Sequence, residues 1–213
     1  MTTKPVVAQV PSFSDVDTDI YAKEIQEAVE IGLIAGFTSN NTFRPTLELT
    51  REQMVSMVIN ALSQLPPSPL TVPSEQAPDL LKTTNKPYRD VEVTRWSAGK
   101  IEWAKENEII IGYSDGTFRP TQIVTRAELI AVLRKAVEYG ENTRRSGGIK
   151  RQQAITFSDI SAHWGQKAIT EMSAYCGVAT PVNETGNAFF PNLGTQRNYA
   201  AAATLRMLNC MNK

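Results

Sequence analysis

Three arginines stand at matched places in this chain of 213 residues. Arg51, Arg126 and Arg197 each come six residues after a proline: Pro45, Pro120 and Pro191. The first two lie in Thr50-Arg-Glu-Gln53 and Thr125-Arg-Ala-Glu128. There the Thr and the Gln or Glu can form a capping box at a helix start, which accounts for both residues. The guanidinium is left unassigned. It is a planar donor fork that grips a carboxylate through two parallel hydrogen bonds, a geometry Lys does not reproduce. At the first turn of a helix, free amides and the positive dipole end also favour an anion. The expected chemistry is anion recognition, with Arg126 the strongest candidate.

Other chemistries lack their residues. One His, His163, would have to serve any Ser-His-Asp or Cys-His arrangement, and it reads as a surface residue. No repeated C-x-x-C spacing is present for zinc. Asp115-Gly116 hints at calcium, but the further acids and terminal Glu of an EF-hand loop are missing. Glycan cleavage needs two positioned carboxylates in one cleft, and the placement of the acids singles out no pair. No enzyme, cofactor or metal is expected. The 22 basic residues balance 22 acidic ones, so the excess charge of a nucleic-acid binder is absent. No run of about 18 apolar residues could span a bilayer. Met1 to Pro11 lacks the apolar stretch of a signal peptide, which fits either an intracellular protein or one whose leader has been removed. Cys176 and Cys210, 34 residues apart, can pair or sit as separate buried thiols; spacing decides neither, and separate thiols are the commoner use.

The arginines are one marker of a triplicate. Phe13-Ser-Asp15-Val16 returns as Tyr88-Arg-Asp90-Val91 and Phe157-Ser-Asp159-Ile160. Phe43-Arg-Pro45 returns as Phe118-Arg-Pro120 and Phe189-Phe-Pro191, at offsets of 30, 30 and 32 residues from the opening aromatic. In each unit an amphipathic helix is expected first, with Ile25, Ala28, Val29 and Gly32 as its stripe in unit one and Ile101 and Ala104 in unit two. It should start near Asp19, Thr94 or Ser161 and stop around Gly36 or Gly112, before a polar turn. The second helix follows the capping box and buries Met54, Val55, Val58 and Leu62, or Leu129, Ile130, Leu133 and Val137. Gln196 to Tyr199 has no box, so the last helix must rely on propensity and packing. Phe43, Phe118 and Phe189 read as core, and Trp103 as helix packing.

The boundaries are a tail at 1–12, repeats at 13–62, 88–137 and 157–213, a Pro-rich connector at 63–87 with a short helix near 74–82, and a basic connector at 138–156. A unit of about 50 residues buries too little surface alone, so the three must pack as one all-α domain.

In these residues the sequence resembles the S-layer homology family, whose signature runs F-x-D-V, a Trp, an apolar helix, a D-G-x-F-x-P loop and T-R-A-E. The middle unit matches best, through Tyr88 to Val91, Trp96, Gly112 to Pro120 and Thr125 to Glu128. The resemblance implies a pseudo-threefold, three-pronged spindle of helix-loop-helix repeats around a central three-helix bundle. It implies non-covalent binding of an anionic cell-wall polysaccharide, commonly a pyruvylated amino sugar, in grooves between prongs, and so a place in the cell envelope. A fused or associated surface or outer-membrane protein would be the partner. Carried over as glycan-binding are Asp15, Asp90 and Asp159, Trp96 and Trp164, Asp115 and Gly116, and Arg51, Arg126 and Arg197. A pyruvate ketal is a fixed carboxylate suited to Arg, an indole suits a pyranose face, and Asp accepts from sugar hydroxyls. Equally, the three Asp residues can serve turn or helix-start amides.

Ile20 stands at the Trp position of unit one, and unit three has a longer loop, Thr180 to Ala188, without the Asp-Gly pair. The grooves are therefore expected to differ, the strongest using Asp90, Trp96 and either Arg126 or Arg51. Residues 13 to 62 carry eight acids against three bases, so an anionic polymer should avoid unit one. A protein-interaction module with decayed glycan sites is the alternative function.

Overall fold

The computed structural model describes residues 13–66, 83–144 and 152–213. The short helix expected near 74–82 lies outside them. α1 (Ala22–Glu30) and α2 (Arg51–Ser63) lie in the segment expected as the first repeat, α3 (Ala98–Glu106) and α4 (Arg126–Arg144) in the second, and α5 (Gln166–Ala174) and α6 (Arg197–Met211) in the segment expected as the third, and the three are named so below. One 3-10 turn, Val182–Glu184, and four isolated backbone bridges complete the described residues, which contain no sheet. The all-α expectation holds.

The short helices begin later than Asp19, Thr94 and Ser161. Each is preceded by two successive tight turns, as where Asp19 N donates to Val16 O and Ala22 N to Asp19 O. The Asp19 carboxylate accepts from Tyr21 N at 2.8 Å, so it caps a turn, and none of the three helices has a side-chain cap. They also end earlier, at Glu30 and Glu106, because Gly32 (φ 74°) and Glu108 (φ 56°) turn the backbone left-handed. Gly36 and Gly112 do something else: a Cβ there would lie 2.1 Å from the Phe13 ring and 2.2 Å from the Tyr88 ring. Their bareness lets each repeat's opening aromatic lie on its own loop and reach Phe43 or Phe118, at ring distances of 5.8 and 5.4 Å. Phe43, Phe118 and Phe189 are fully buried, each stabilising the fold by roughly 1.5–3 kcal/mol.

The repeats interlock in a ring. α3 packs on α2, α5 on α4, and α1 on α6, so every short helix lies on the long helix of the preceding repeat and the first closes on the last. The three long helices also touch one another pairwise. Buried Leu129, Ile130 and Leu133 on α4 and Ala200 to Ala203 on α6 belong to the same core, and the two helices pack together. Trp103 packs edge-on against Tyr139, as expected of a packing residue. Where the long helices start, three backbone bonds form a closed triangle: Leu49 N to Thr195 O at 2.8 Å, Thr195 N to Val124 O at 2.8 Å, and Val124 N to Leu49 O at 3.0 Å.

Thr50 and Thr125 cap α2 and α4 in complete capping boxes, while Gln196 gives α6 no side-chain cap. Cys176 and Cys210 are joined in a disulfide, with Cα atoms 6.0 Å apart, rather than lying as separate thiols. The bridge ties the turn after α5 to the end of α6. It was not legible from spacing because the fold, not the 34-residue separation, brings the two together.

Candidate functional site

Each of the three matched arginines crosses to the next repeat. Arg51 donates from Nε to Phe118 O at 2.9 Å, from Nη1 to Glu128 Oε1 at 3.0 Å and from Nη2 to Ile111 O at 3.3 Å. Arg126 donates from Nε to Phe189 O at 2.8 Å and from Nη2 to Thr180 O at 2.9 Å. Arg197 donates from Nε to Phe43 O at 2.9 Å and from Nη2 to Ala35 O at 2.7 Å. All three are buried. The guanidinium left over by the capping argument thus has a structural assignment: it pins the following repeat's loop, in the order one to two, two to three, three to one.

The helix starts are occupied as well. Arg51 N and Glu52 N donate to Gln122 O and Pro120 O; Arg126 N and Ala127 N donate to Leu193 O and Pro191 O; Arg197 N and Asn198 N donate to Leu47 O and Pro45 O. The next amide of α2 and α4 goes to the Thr hydroxyl. The free first-turn amides expected for an anion are therefore absent at these helices.

The three aspartates act alike. Asp15 accepts from Phe43 N and Arg44 N, both at 2.8 Å; Asp90 from Phe118 N and Arg119 N, both at 2.7 Å; and Asp159 from Phe189 N at 2.8 Å and Phe190 N at 2.7 Å. Arg44, Arg119 and Phe190 have φ of 57°, 57° and 55°, a left-handed conformation that is costly for a residue with a side chain. Charge-assisted bonds to both carboxylate oxygens offset that strain and fix the turn onto which the arginines fasten.

Asp115 accepts from the Thr117 hydroxyl and amide at 2.5 and 3.0 Å and pairs with Arg119 at 3.2 Å; these contacts, led by the hydroxyl, hold its carboxyl down at about 2. Gly116 takes φ 78° next to it, where repeat one has Asn41 at φ 52°.

Trp96 and Trp164 are 60% and 66% exposed, with Ile20 at 57% in the same place of repeat one. Arg95 and Ser97, which flank Trp96, both bind Glu52, so the Trp96 position stands beside the first turn of α2. Gly165 follows Trp164 and lies against Ala127, which sets the Trp164 position beside the first turn of α4. Asp90, Arg51 and Trp96 thus gather at the first seam between repeats, and Asp159, Arg126 and Trp164 at the second. Asp15, Arg197 and Ile20 make up the third. His163, half-buried, accepts from Gly165 N at 3.0 Å through Nδ1 and meets Asn192 Oδ1 at 3.0 Å through Nε2.

Sequence reasoning passed over two groups. Glu52 accepts from Arg95 Nε and Nη2, each at 2.7 Å, which raises the Arg95 pKa, and from the Ser97 hydroxyl at 2.6 Å. The signal was a Glu where the second repeat has Ala127. The other group is a pair of guanidiniums on one ring: Arg119 and Arg51 lie 3.9 and 4.9 Å from the Tyr113 ring centre, and Arg44 and Arg197 lie 4.0 and 5.0 Å from that of Phe37. Among the described residues no cluster of acids, His and Cys is arranged to hold a metal, and no helix is long and apolar enough to cross a membrane.

The S-layer homology domain model matches residues 12–55 and 87–130. The chain is similar to a cellulosome-anchoring protein of Acetivibrio thermocellus, 30% identical over 127 residues that make up 60% of this chain and 27% of that protein. It is similar to a surface layer protein of Brevibacillus choshinensis, 29% identical over 122 residues, 57% of this chain and 10% of that one. A middle cell wall protein of Brevibacillus brevis is 29% identical over 117 residues, 55% of this chain and 10% of that one. The matches thus span about a quarter or less of these curated relatives' length. The S-layer homology match thus rests on two segments of the chain, residues 12–55 and 87–130, set in an all-helical fold.

Proposed function

We propose that this chain is a non-enzymatic module of the cell envelope that holds a surface or outer-membrane protein to the wall, by binding a secondary wall polysaccharide at the seams between three S-layer homology repeats. The third repeat enters this reading because residues 157–211 reproduce the aspartate clamp, the buried aromatic pair and the crossing arginine. Similarity to a cellulosome-anchoring protein, a surface layer protein and a middle cell wall protein supports the location.

The observation that carries the proposal is the pair of exposed indoles, Trp96 and Trp164, at one repeat position and each beside a seam. An indole left in water at matched sites is a ready platform for the apolar face of a pyranose ring. The rim of the Asp115-Gly116 turn adds polar contacts, while Asp15, Asp90, Asp159, Arg51 and Arg126 shape the seams. Several weak sites on one body gain by effective concentration on a repeating polymer. A pyruvylated amino sugar is the proposed unit.

Sedimentation with native wall sacculi and with sacculi stripped of secondary polysaccharide tests this reading. Loss of binding on stripping is expected. Equal binding to both would contradict it and point to protein interaction instead.

A further inference from the structure

The residue just before each seam's exposed side chain differs from repeat to repeat: Asp19 before Ile20, Arg95 before Trp96 and His163 before Trp164. In the first and third repeats it does one job. Asp19 Oδ1 accepts from Tyr21 N, two residues on, at 2.8 Å, and His163 Nδ1 accepts from Gly165 N, also two residues on, at 3.0 Å. The remaining polar atom of each side chain then reaches a different segment. Asp19 Oδ2 accepts from Asn198 Nδ2 on α6 at 2.9 Å, whereas His163 Nε2 meets Asn192 Oδ1, in the third repeat's own loop, at 3.0 Å. Arg95 instead grips Glu52 through two nitrogens. The turn that carries Trp164 is thus closed by an imidazole, where its counterparts use a carboxylate and a guanidinium.

That imidazole can hold the turn in one protonation state only. With Nδ1 accepting from an amide, the ring proton is on Nε2, where it is donated to Asn192. A second proton has to go on Nδ1, and two N–H groups then face each other across 3.0 Å. The ring must leave. Once charged, it is drawn to the face of the Trp164 indole, whose centre lies 5.2 Å from its own, and that face is the surface a pyranose would use. The charged groups on the surrounding elements are engaged elsewhere. Asp159 holds the Phe189 and Phe190 amides, Arg126 of α4 the Phe189 and Thr180 carbonyls, and Glu128 of α4 Thr125 N and Arg51; Lys167 of α5 is exposed. His163 is the chain's one His and both Cys are bridged, so no other side chain ordinarily changes charge between about pH 5 and 8.

We propose that His163 is the positioning residue of Trp164 and makes the second seam a pH-sensitive glycan site, open while the imidazole is neutral and closed when it takes a proton. This rests on the wall-anchoring reading. The first seam, where Arg95 and Glu52 hold the turn that carries Trp96, does not share the switch, so the chain keeps part of its grip on the wall in acid.

Retention of the full chain on native sacculi at about pH 8 and about pH 5 tests the assignment, in variants that leave one of the two indoles each. With Trp96→Ala, which leaves Trp164, apparent affinity should fall at least about fivefold from the higher pH to the lower, as loss of a stacked ring implies. With Trp164→Ala, which leaves Trp96, it should change less than about twofold on the same sacculi. Adding His163→Asn to Trp96→Ala copies the Asp19 bond without a titratable group, since Asn Oδ1 also reaches the amide two residues on, and should hold the higher-pH affinity at both. The temperature coefficient of the Gly165 amide proton, which reports whether that amide is hydrogen-bonded, should grow on acidification in the wild type and stay small in His163→Asn. Equal retention of Trp96→Ala at both pH values, as steep a fall in Trp164→Ala, a fall that survives His163→Asn, or a Gly165 amide that stays bonded in acid overturns the inference. A Gly165 amide that responds as expected, in a chain that binds native and stripped sacculi alike, overturns the wall-anchoring reading and leaves the switch in the turn standing.

Discussion

The loops of the first and middle repeats share one skeleton and diverge in charge. Both have an aspartate holding two amides, a left-handed Arg after the core Phe, and two guanidiniums flanking an aromatic ring. They differ in Asn40 against Asp115, Gln53 against Glu128, and Phe37 against Tyr113. The lesson is that in a repeat protein the interlocking contacts can stay constant while neighbouring positions change the charge of a seam. Constant contacts here mean backbone amides, carbonyls and one buried Arg per seam. Variable ones are side chains whose loss leaves every backbone bond in place.

The comparison breaks first if the skeletons are energetically unlike. Asp15→Ala and Asp90→Ala should each destabilise by about 3 kcal/mol, since each removes two amide bonds to a charged group. That is a fall in Tm on the order of 10 °C, and the two should match closely in thermal unfolding. A smaller effect separates the first seam from the second. Arg95→Ala strands buried Glu52 and should cost about 2 kcal/mol in denaturant unfolding. Adding Glu52→Ala, which imitates Ala127, should recover about half of it. At the central triangle, Thr195 stands where the other repeats have Leu49 and Val124, and its buried hydroxyl has no hydrogen-bond partner among the described residues. Thr195→Val should stabilise by about 1 kcal/mol and raise Tm by roughly 2–4 °C. The smallest effect is acid titration of the middle loop. The Asp115 pKa lies at about 2 rather than 3.8, so its contribution is complete above 3.8 and is lost as the pH falls toward 2. Carboxyl NMR titration should find that low value in the wild type, and a value near 3.8 would remove the clamp from the account.

Local chemistry was legible in the sequence. The offsets between aromatics announced the repetition that the family model matches at residues 12–55 and 87–130, the Thr-x-x-Gln/Glu spacing announced the capping boxes of α2 and α4, and Phe43, Phe118 and Phe189 are the core residues they promised to be. What depended on partners far along the chain was not. Arg197 and Phe43 are 154 residues apart, and nothing in either segment says that the last repeat closes on the first. The aspartates looked equally suited to sugars and to turns because a carboxylate accepts from either, and only the fold brought amides from 28 residues or more downstream to both oxygens. Helix starts were misplaced because Asp19, Thr94 and Ser161 belong to tight turns that precede the helices. Exposure of Trp96 and Trp164, in contrast to the packed Trp103, needed the structure as well.

The central claim is that glycan meets the protein at these exposed indoles. Retention of a Trp96→Ala, Trp164→Ala double variant on native sacculi tests it most directly, because neither ring contributes much buried surface. At unchanged melting temperature, apparent affinity should fall at least tenfold, in keeping with about 1.4 kcal/mol or more per site of lost stacking. Undiminished retention of the folded double variant would contradict the account.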